Sequence, residues 1–322
     1  MVSQATLNAS GGCLVDSDPQ IMRDRVFVTG GTGFVGRNLL ARLADRLARR
    51  VLCLTRRASE SGHRTGVELV VGDVREPPSY IAALRETDVV VHMAGVTGKA
   101  QKTDYFDVNV DGTAALLTAC REAGVRRFLF TSSIAATYQE KGAYYYAQSK
   151  ETAEQLVRDS GLNYLIVRPT LVLGPGSPIG EKLAALAGLP VMPIFGDGSV
   201  RVQPICVDDV VAFLTSTMEE PALPDAAVDL GGPELVTFED LLRRIRRALI
   251  GRDSPVIHLP VRRVIDLLAW AERWLSPILP LTAGQLSVFI NDSVATPDAF
   301  VAARVPHMKS IDDMLDRMIL ND

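Results

Sequence analysis

Residues 26–36 read Val-Phe-Val-Thr-Gly-Gly-Thr-Gly-Phe-Val-Gly, an apolar strand that passes through a glycine-rich turn into a helix. A helix-like segment over 37–49 and a second apolar strand over 51–55 come next. This order of strand, glycine turn, helix and strand is that of a βαβ unit. A strand, turn and helix without a ligand is the simpler interpretation, but the βαβ context favours a nucleotide-binding turn.

The three evenly spaced glycines of the turn have separate tasks in such a unit. Gly30 permits the tight turn, Gly33 lets the backbone come close to a phosphate, and Gly36 lets the helix pack on its strand. Backbone N–H groups and the positive end of the helix dipole then face an anion. The stretch therefore predicts a pyrophosphate site for a dinucleotide, with contacts from Gly30, Thr32, Gly33, Phe34, Val35 and Gly36.

Strand-like and helix-like segments alternate after the glycine turn. Apolar strands are predicted at 68–71, 88–93, 127–131 and 164–167. Helices are predicted at 78–86, 105–123 and 144–160. Such alternation is typical of a parallel sheet with helices on both faces. We therefore predict an α/β fold, a Rossmann-type doubly wound parallel sheet.

The C-terminal part of the chain has a different character. A turn cluster, Gly-Pro-Gly-Ser-Pro, occupies 174–178, and prolines interrupt many of the later segments. We predict a smaller, irregular substrate lobe there, from which some segments return to the main sheet. The predicted division is a loose tail over 1–24, an NAD(P)-binding Rossmann domain over 25–175 and the substrate lobe over 176–322.

Composition excludes some classes of function. Hydrophobic residues make up 47% of the 322-residue chain, which is ample for a buried core. The formal net charge is −4 and both signs are scattered, so no basic stripe indicates binding of nucleic acid. We expect a small-molecule substrate instead.

Cysteine and histidine spacing argues against a metal site. The four cysteines, which include Cys13, lie far apart and form no Cys-x-x-Cys pair, so neither a zinc site nor a disulfide framework is predicted. His63, His258 and His307 have no partners at metal-ligand spacing. Residues 1–24 lack the basic start and apolar core of a signal peptide. A reducing, cytoplasmic setting fits these features best.

Tyr146 and Lys150 stand at positions i and i+4, which places both on one face of a helix. A nearby ammonium stabilises phenolate, so we expect the pKa of Tyr146 to fall toward neutrality. Such a phenol exchanges a proton with a carbonyl or alcohol oxygen, as hydride transfer to or from a nicotinamide requires. Neither Tyr144 nor Tyr145 has a lysine four residues later, so the spacing selects Tyr146.

Ser133 follows a predicted strand on the carboxyl side, where ligands bind in parallel sheets. It is predicted to hold the substrate oxygen against Tyr146. Ser132 is the alternative for that role, and either serine could instead cap the following segment. His92, at the end of another predicted strand, is interpreted as a core or loop-stabilising histidine rather than a catalytic base.

These features together resemble the extended short-chain dehydrogenase/reductase superfamily, also described as the NAD-dependent epimerase/dehydratase family. The resemblance covers about residues 25 to 315 and rests on the glycine turn, Gly72-Asp73-Val74, His92-Met93-Ala94-Gly95, Asn109 with Gly112-Thr113, Ser133, Tyr146-x-x-x-Lys150 and Arg168-Pro169. The stretches 203–211 and 229–238 resemble, more narrowly, bacterial relatives of the nucleotide-binding accessory subunit of respiratory complex I.

The resemblance implies roles for further residues. Asp73 and Val74 are expected beside the adenine, and Ala94 and Gly95 along the cofactor. Asn109 is expected to steady the active-site helix, and Pro169 is expected near the nicotinamide. The resemblance also implies a homodimer, since helices beside the active-site tyrosine often form dimer interfaces in this superfamily.

The end of the second strand departs from the common pattern of the family. An NAD-preferring member carries an acid there for the ribose 2′-hydroxyl, whereas this chain has Arg56 and Arg57. An acid repels a 2′-phosphate and an arginine can bind it. NADP(H) is therefore the preferred cofactor over NAD, with Arg56 or Arg57 on the phosphate, unless both arginines only end a strand in solvent.

The sequence is compatible with three functions. The first is an NADP(H)-dependent oxidoreductase that reduces a carbonyl or oxidises an alcohol, with Ser133, Tyr146, Lys150 and Asn109 in its catalytic site. The second is a nucleotide-sugar epimerase or dehydratase with tightly bound NAD. It is disfavoured because Tyr146 follows Ser133 by only thirteen positions, where sugar-modifying members carry a longer segment. The third is a non-catalytic NADP(H)-binding accessory or assembly subunit.

The segment over 261–281 is predicted to form an amphipathic helix. Apolar residues, including Trp270 and Trp274, recur at helical spacing with arginines and acids between them. A helix packed on the substrate lobe is one interpretation, and an interfacial helix that touches a membrane or a lipophilic ligand is the other. Its charged residues exclude a transmembrane span.

Overall fold

A computed structural model describes residues 25–44, 50–57, 66–142, 144–275 and 283–319. Several sequence predictions lie outside these residues: the tail over 1–24 with Cys13, the helix end at 45–49, His63, and the last part of the amphipathic segment at 276–281. None of the described helices is long and apolar enough to cross a membrane.

Strands and helices alternate through most of the described chain. The strands are β1 Arg25–Thr29, β2 Arg50–Thr55, β3 Val67–Val71, β4 Val89–His92, β5 Arg127–Thr131, β6 Asn163–Pro169, β7 Val172–Leu173, β8 Met192–Phe195, β9 Arg201–Val202, β10 Ile205–Cys206, β11 Ala226–Leu230, β12 Val236–Thr237 and β13 Val256–Leu259. The α-helices are α1 Phe34–Ala44, α2 Ile81–Leu84, α3 Lys102–Phe106, α4 Gly112–Ala123, α5 Tyr145–Arg158, α6 Pro178–Ala187, α7 Val207–Met218, α8 Phe238–Ile250, α9 Val261–Leu275, α10 Ala283–Leu286, α11 Ala299–Arg304 and α12 Ile311–Ile319.

Seven of these strands form one parallel sheet in the order β11-β6-β5-β4-β1-β2-β3. The predicted Rossmann-type doubly wound fold is confirmed. Because β1 has β2 on one side and β4 on the other, the chain changes its winding direction at β1. Ligands bind at the carboxyl ends of the strands beside such a switch point, and the glycine turn follows β1 directly.

The main sheet is buried on both faces. Val26 and Val28 of β1 belong to a core that contains side chains of α1 and α7, such as Leu39 and Val210. Phe27 faces the opposite side, in a core with side chains of α2, α4 and α5. This burial explains why the strands read as continuous apolar runs rather than alternating ones.

Residues after β6 build most of a separate apolar core, formed mainly by α6, α8 and α12 with side chains such as Leu183, Leu241 and Met314. Three small two-stranded sheets, β7 with β10, β9 with β12 and β8 with β13, accompany it. Only β11 of the later strands joins the main sheet. The domain boundaries predicted at 175 and 176 stay a prediction.

Two predicted helices differ from the observed ones. The helix predicted over 78–86 is a 3-10 turn, Pro77–Ser79, followed by the four-residue α2. Tyr80, with φ −138° and ψ −4°, departs from helical geometry between the two segments and so divides them. The helix predicted over 105–123 is interrupted by a π-turn, Asp107–Asp111, between α3 and α4. This turn carries Asn109, and π-turns are frequent at functional sites.

Candidate active site

The glycine turn brings backbone, not side chains, to the edge of the sheet. Gly30 has φ +72°, and a Cβ there would lie 2.5 Å from Met93 C and from Ala94 N. A Cβ on Gly36 would lie 2.1 Å from Gly30 O. Gly33 N donates to Gly30 O at 3.0 Å, which closes the turn at the start of α1. The turn therefore leaves no room for side chains at Gly30 and Gly36.

One cavity of ≈ 200 Å³ lies on the β2 and β3 side of the glycine turn. The predicted residues that line it are Gly30, Thr32, Gly33, Arg56, Asp73, Val74, Ala94 and Gly95. It is also lined by residues that sequence reasoning did not assign to the site, Thr29, Leu54, Thr55, Gly72, Met93, Val96 and Val108. We call it the adenine-side cavity, after the expected position of Asp73 and Val74.

Asp73 is a charged residue in the lining of the adenine-side cavity. Its carboxylate accepts bonds from Arg75 Nε at 2.9 Å and Arg75 Nη2 at 2.8 Å. The bonds from Arg75 lower the pKa of Asp73 to about 2, and Arg56 lowers it further through its charge. Arg56 therefore lies close to Asp73 at the cavity wall. Arg57 does not line the cavity, and its carbonyl accepts a bond from Thr55 Oγ1 at 3.0 Å.

A second cavity of ≈ 260 Å³ lies on the β5 and β6 side of the turn. The predicted residues that line it are Gly30, Gly33, Phe34, Val35, Gly36, Gly95, Ser133 with its alternative Ser132, Tyr146, Lys150 and Pro169. Sequence reasoning did not name Met93, Thr97, Thr131, Thr170 and Val172 as site residues, and these line it too. Gly30, Gly33, Met93 and Gly95 border both cavities, so the two adjoin at the glycine turn. We call this one the nicotinamide-side cavity.

Tyr146 is partly buried at the wall of the nicotinamide-side cavity. Burial raises the pKa of its phenol to about 12, and a hydrogen bond with Ser133 offsets part of this rise. The ring packs against Tyr105 and Tyr144, with centroids 6.3 Å and 5.8 Å away. The expectation of a pKa lowered by Lys150 is wrong for this arrangement, and the phenol is protonated at neutral pH.

The position of the Lys150 ammonium explains why the pKa of Tyr146 is not lowered. Its Nζ donates to the Thr131 carbonyl oxygen at 2.7 Å and lies 4.3 Å from the centroid of the Phe130 ring. Burial lowers the pKa of Lys150 to about 7, although the charge of Glu154 opposes this shift. The ammonium is therefore directed to the end of β5 and is only partly protonated near neutral pH, so it does not outweigh the burial of Tyr146.

The structure separates the two candidate serines. Ser132 Oγ donates to Glu154 Oε1 at 2.7 Å and is turned toward that carboxylate. Ser133 bonds with Tyr146, and its Oγ also accepts from Ala135 N at 3.2 Å, which caps a 3-10 turn. The geometry thus brings Ser133 and Tyr146 together, as predicted, and gives Ser133 the capping role as well.

Glu154 is a residue that sequence reasoning missed. Its carboxylate accepts from Arg168 Nε at 2.8 Å, Arg168 Nη2 at 2.6 Å and Arg158 Nη2 at 2.7 Å. Burial would raise its pKa, but these bonds hold the pKa below its ordinary value. The available signal was its position four residues after Lys150, which extends the Tyr146 and Lys150 stripe by one turn. Glu154 ties α5 to β6 behind the cavity.

Asn109 lies behind the cavities and lines neither of them. Its Oδ1 accepts from Val96 N at 2.7 Å, and its Nδ2 donates to Ser149 Oγ at 2.9 Å. Ser149 Oγ in turn donates to the Tyr146 carbonyl oxygen at 2.8 Å. Asn109 thus connects the loop after β4 to α5, and its expected role in steadying that helix stays a prediction.

His92 is fully buried and has a partner on each ring nitrogen, as expected for a core histidine. Thr113 Oγ1 donates to Asn109 O at 2.7 Å, so it accepts from His92 Nε2 at 2.9 Å. His92 Nδ1 then accepts from Thr29 Oγ1 at 2.6 Å, and Thr29 Oγ1 accepts from Ala94 N at 3.1 Å. Burial lowers the pKa of His92 to about 3, so the ring is neutral.

The residues present fit a dinucleotide. Side-chain-free positions at Gly30 and Gly36 leave backbone groups at the junction of the cavities, where a pyrophosphate would lie against the start of α1. The buried Thr131 hydroxyl has no hydrogen-bond partner among the described residues and stands at the nicotinamide-side cavity. A ligand with polar groups at that end would satisfy it.

Comparison with known proteins agrees with this geometry. The model of the NAD dependent epimerase/dehydratase family matches residues 26–231. A ceramide reductase of Caulobacter vibrioides is 33% identical over 79% of this chain and 79% of its own length. A 2-alkyl-3-oxoalkanoate reductase of Stenotrophomonas maltophilia is 31% identical over 85% of this chain and 90% of its own length.

A solved structure has the same fold. The UDP-glucuronic acid 4-epimerase of Bacillus cereus, in complex with UDP-glucuronic acid and NAD, has a TM-score of 0.71 at 18% identity, covering 92% of this chain and 98% of that one. The family match spans the glycine turn, both cavities and the strand β11 that completes the sheet. The chain belongs to the NAD-dependent epimerase/dehydratase family and is an NAD(P)-dependent enzyme of the reductase and epimerase type.

Proposed function

We propose that this protein is an NADPH-dependent reductase that converts a ketone on a lipophilic substrate to an alcohol. The catalytic site consists of Ser133, Tyr146 and Lys150. The same site runs in reverse as an alcohol dehydrogenase when the alcohol and the oxidised cofactor are in excess. A reducing, cytoplasmic setting is part of the proposal, supported by the free, buried thiols of Cys53, Cys120 and Cys206.

The observation that carries the proposal is the pairing of Tyr146 with Ser133 at the wall of the nicotinamide-side cavity. The phenol is protonated at neutral pH, as an unperturbed tyrosine also is, and a protonated phenol is the form that donates to a carbonyl oxygen. Ser133, bonded to the same phenol, is the second donor for that oxygen. Both face a cavity that adjoins the glycine turn.

The residues that line the two cavities would hold a nicotinamide dinucleotide, which would supply a hydride for the carbonyl carbon. Tyr146 Oη gives its proton to the carbonyl oxygen, so that the C=O double bond becomes an alcohol. Lys150, which lines the same cavity and has a pKa of about 7, is proposed to bind the nicotinamide ribose and to favour the resulting phenolate when it is charged.

Preference for NADPH is proposed on the charge of the adenine-side cavity. Arg56 lines it, and the end of β2 carries no acid that would bind a ribose 2′-hydroxyl. The Asp73 carboxylate is already paired with Arg75, which leaves Arg56 for a 2′-phosphate. A guanidinium binds phosphate through paired, charge-assisted hydrogen bonds.

The substrate class is proposed from the two reductase relatives. One acts on ceramide and the other on 2-alkyl-3-oxoalkanoates, by their names, and both compounds carry alkyl chains. The apolar side chains at the nicotinamide-side cavity, among them Phe34, Met93 and Val172, are compatible with such chains. The proposed reacting centre is therefore a ketone next to a carbon atom that bears an alkyl group.

The test uses the purified full chain with NADPH and a 2-alkyl-3-oxoalkanoate, following NADPH consumption. Tyr146→Phe removes the proton donor and keeps the ring, so we expect kcat to fall by about 10²- to 10⁴-fold with NADPH affinity unchanged. Tyr145→Phe is the matched control, since that neighbouring phenol does not line either cavity. Equal turnover by Tyr146→Phe and wild type would contradict the proposal.

Two other functions have distinct outcomes in the same assay. Copurification of NAD(H), with interconversion of nucleotide sugars and no net NADPH consumption, would support the epimerase or dehydratase, a function favoured by the family model. NADPH binding without turnover of ketones or nucleotide sugars, and without any effect of Tyr146→Phe, would support an accessory subunit. Ketone reduction lost only in Tyr146→Phe supports the reductase.

A further inference from the structure

Helix α9 has an exposed apolar strip on its outer side. Leu267 and Trp270 are 63% and 61% exposed, the highest exposures of large hydrophobic side chains among the described residues. Arg263, also exposed, stands one turn before Leu267. The spacing 263, 267, 270 places the three on one face of the helix. We call this face the α9 strip.

The neighbouring face of α9, rotated by about 100°, is turned to the protein. Val264 and Leu268 are partly buried and Ala271 is buried, with the same spacing one residue later in the chain. The helix packs on α10 and on the 3-10 turn Ser287–Ile290. Leu267 and Trp270 are mostly exposed by contrast, so packing of the described lobe does not need the α9 strip.

The helix is attached to the active-site loop. Arg262 at its start pairs with Glu140 at 3.1 Å, in the loop between Ser133 and Tyr146. Asn291, which follows the 3-10 turn, donates to the Glu140 carbonyl oxygen at 2.8 Å. Val288 of that turn packs on the same apolar cluster as Tyr146. A surface docked on the α9 strip would thus lie on the side of the molecule that carries the active-site loop.

We infer that the α9 strip docks this enzyme reversibly on a bilayer that contains anionic lipid. Tryptophan and leucine beside arginine on an exposed helix face are the combination that settles in the interfacial region of a membrane. Arg262 at the start of α9 is paired with Glu140, so the exposed Arg263 is the cation that the strip offers to anionic headgroups. The inference rests on the proposed function in one respect, because docking gives access to a ketone that resides in lipid.

The size of the strip favours a bilayer over a second copy of the chain. A specific protein interface buries about 800 Å² on each partner, whereas the strip presents three side chains. Partial insertion of two apolar side chains, with attraction of Arg263 to anionic headgroups, is enough for weak and reversible association with lipid. The described part of the chain has no membrane-spanning helix, so the docking is peripheral.

The test measures cosedimentation of the full chain with vesicles of phosphatidylcholine, with and without phosphatidylglycerol. Wild type is expected to bind the anionic vesicles, and Leu267→Ser with Trp270→Ser is expected to weaken binding at least about tenfold. Arg263→Glu is expected to abolish the preference for phosphatidylglycerol. The matched control is Leu249→Ser with Ile250→Ser, which removes two exposed apolar side chains, 44% and 41% exposed, from α8 and keeps binding.

Three results would overturn the inference: wild type that stays in the supernatant with both vesicle types, equal loss in the control, or a wild-type dimer that the double substitution in α9 converts to a monomer without any vesicle binding. Retained NADPH affinity checks that each variant is folded.

Turnover separates this inference from the proposed function. A short-chain ketone dissolved in water should be reduced equally by wild type and by the double variant, and a long-chain ketone held in anionic vesicles more slowly by the variant. Reduction of the soluble ketone without any vesicle binding would contradict the inferred docking but not the proposed function. Vesicle binding without reduction of any ketone overturns the proposed function alone.

Discussion

The adenine-side and nicotinamide-side cavities meet at the glycine turn but are built in different ways. The adenine side depends on backbone at Gly30 and Gly36 and on charged groups near its surface, such as Asp73. The nicotinamide side depends on two side chains of α5, the partly buried Tyr146 and the buried Lys150, whose pKa values are shifted toward their neutral forms. Local sequence thus specifies one side, whereas burial sets the chemistry of the other.

The largest expected effect belongs to Glu154, which supports only the nicotinamide side. Glu154→Gln leaves Arg168 and Arg158 without this buried counter-charge, so we expect the free energy of unfolding to fall by about 3–5 kcal/mol. The pKa of Lys150 should fall further, because Glu154 is the group that raises it. Denaturant titration measures the first effect and the pH profile of kcat the second.

The control for that variant is Glu151→Gln, on the same helix. Its carboxylate is exposed and pairs with Lys141 at 3.0 Å. Exposed ion pairs contribute less than about 1 kcal/mol, so little change is expected. Equal destabilisation by the two variants would show that the buried cluster does not support the nicotinamide side in the way described.

A methyl group at the glycine turn tests the adenine side. Gly36→Ala places a Cβ 2.1 Å from Gly30 O, and such overpacking costs about 1–3 kcal/mol. We expect the Kd for NADPH to rise more than about tenfold, because the pyrophosphate site is distorted. In Gly188→Ala the nearest atom to the new Cβ is 3.4 Å away, and NADPH affinity measured by nicotinamide fluorescence should not change.

Cofactor preference tests the charges of the adenine side. Arg56→Ala removes the guanidinium at the cavity wall, so the ratio of NADPH to NADH affinity should fall about tenfold, equivalent to about 1.4 kcal/mol. Arg57→Ala is the control, since Arg57 does not line the cavity. Fluorescence titration with both cofactors measures the ratio, and a fall in the Arg57 variant alone would reverse the assignment.

His92 supports the wall that both cavities share, and its effect depends on pH. Its pKa is about 3 in the folded state and about 6.5 in the unfolded state. Below the unfolded pKa only the unfolded chain binds the proton, so the stability that is complete above pH 6.5 decreases as the pH falls toward 3. This residue alone should remove about 1.3 kcal/mol between pH 7 and pH 5.5.

His92→Asn removes that titrating group, and His307→Asn removes an exposed histidine as the control. Urea denaturation at both pH values should give a smaller loss of stability in His92→Asn than in wild type or in the control. An identical pH dependence in all three proteins would mean that His92 is protonated in the folded state.

Sequence reasoning was most successful where the chemistry is local. The strand predicted over 127–131 matches β5, and the spacing of Tyr146 and Lys150 placed both on α5. It was wrong about the pKa of Tyr146, because the effect of Lys150 depends on where its ammonium points. It also missed Glu154, whose partner Arg168 lies on another element and is brought near only by packing of α5 against β6.

The sequence by itself determined the parallel sheet, the glycine turn and the set of candidate residues, since periodicity, turn residues and helical spacing act over short stretches of chain. Only the tertiary structure decided which of several equivalent residues serve the site. It selected Ser133 over Ser132 for contact with Tyr146, and Arg56 over Arg57 for the cavity wall. Neighbouring residues differ little in composition or spacing, and burial, direction and partners exist only once distant elements are packed together.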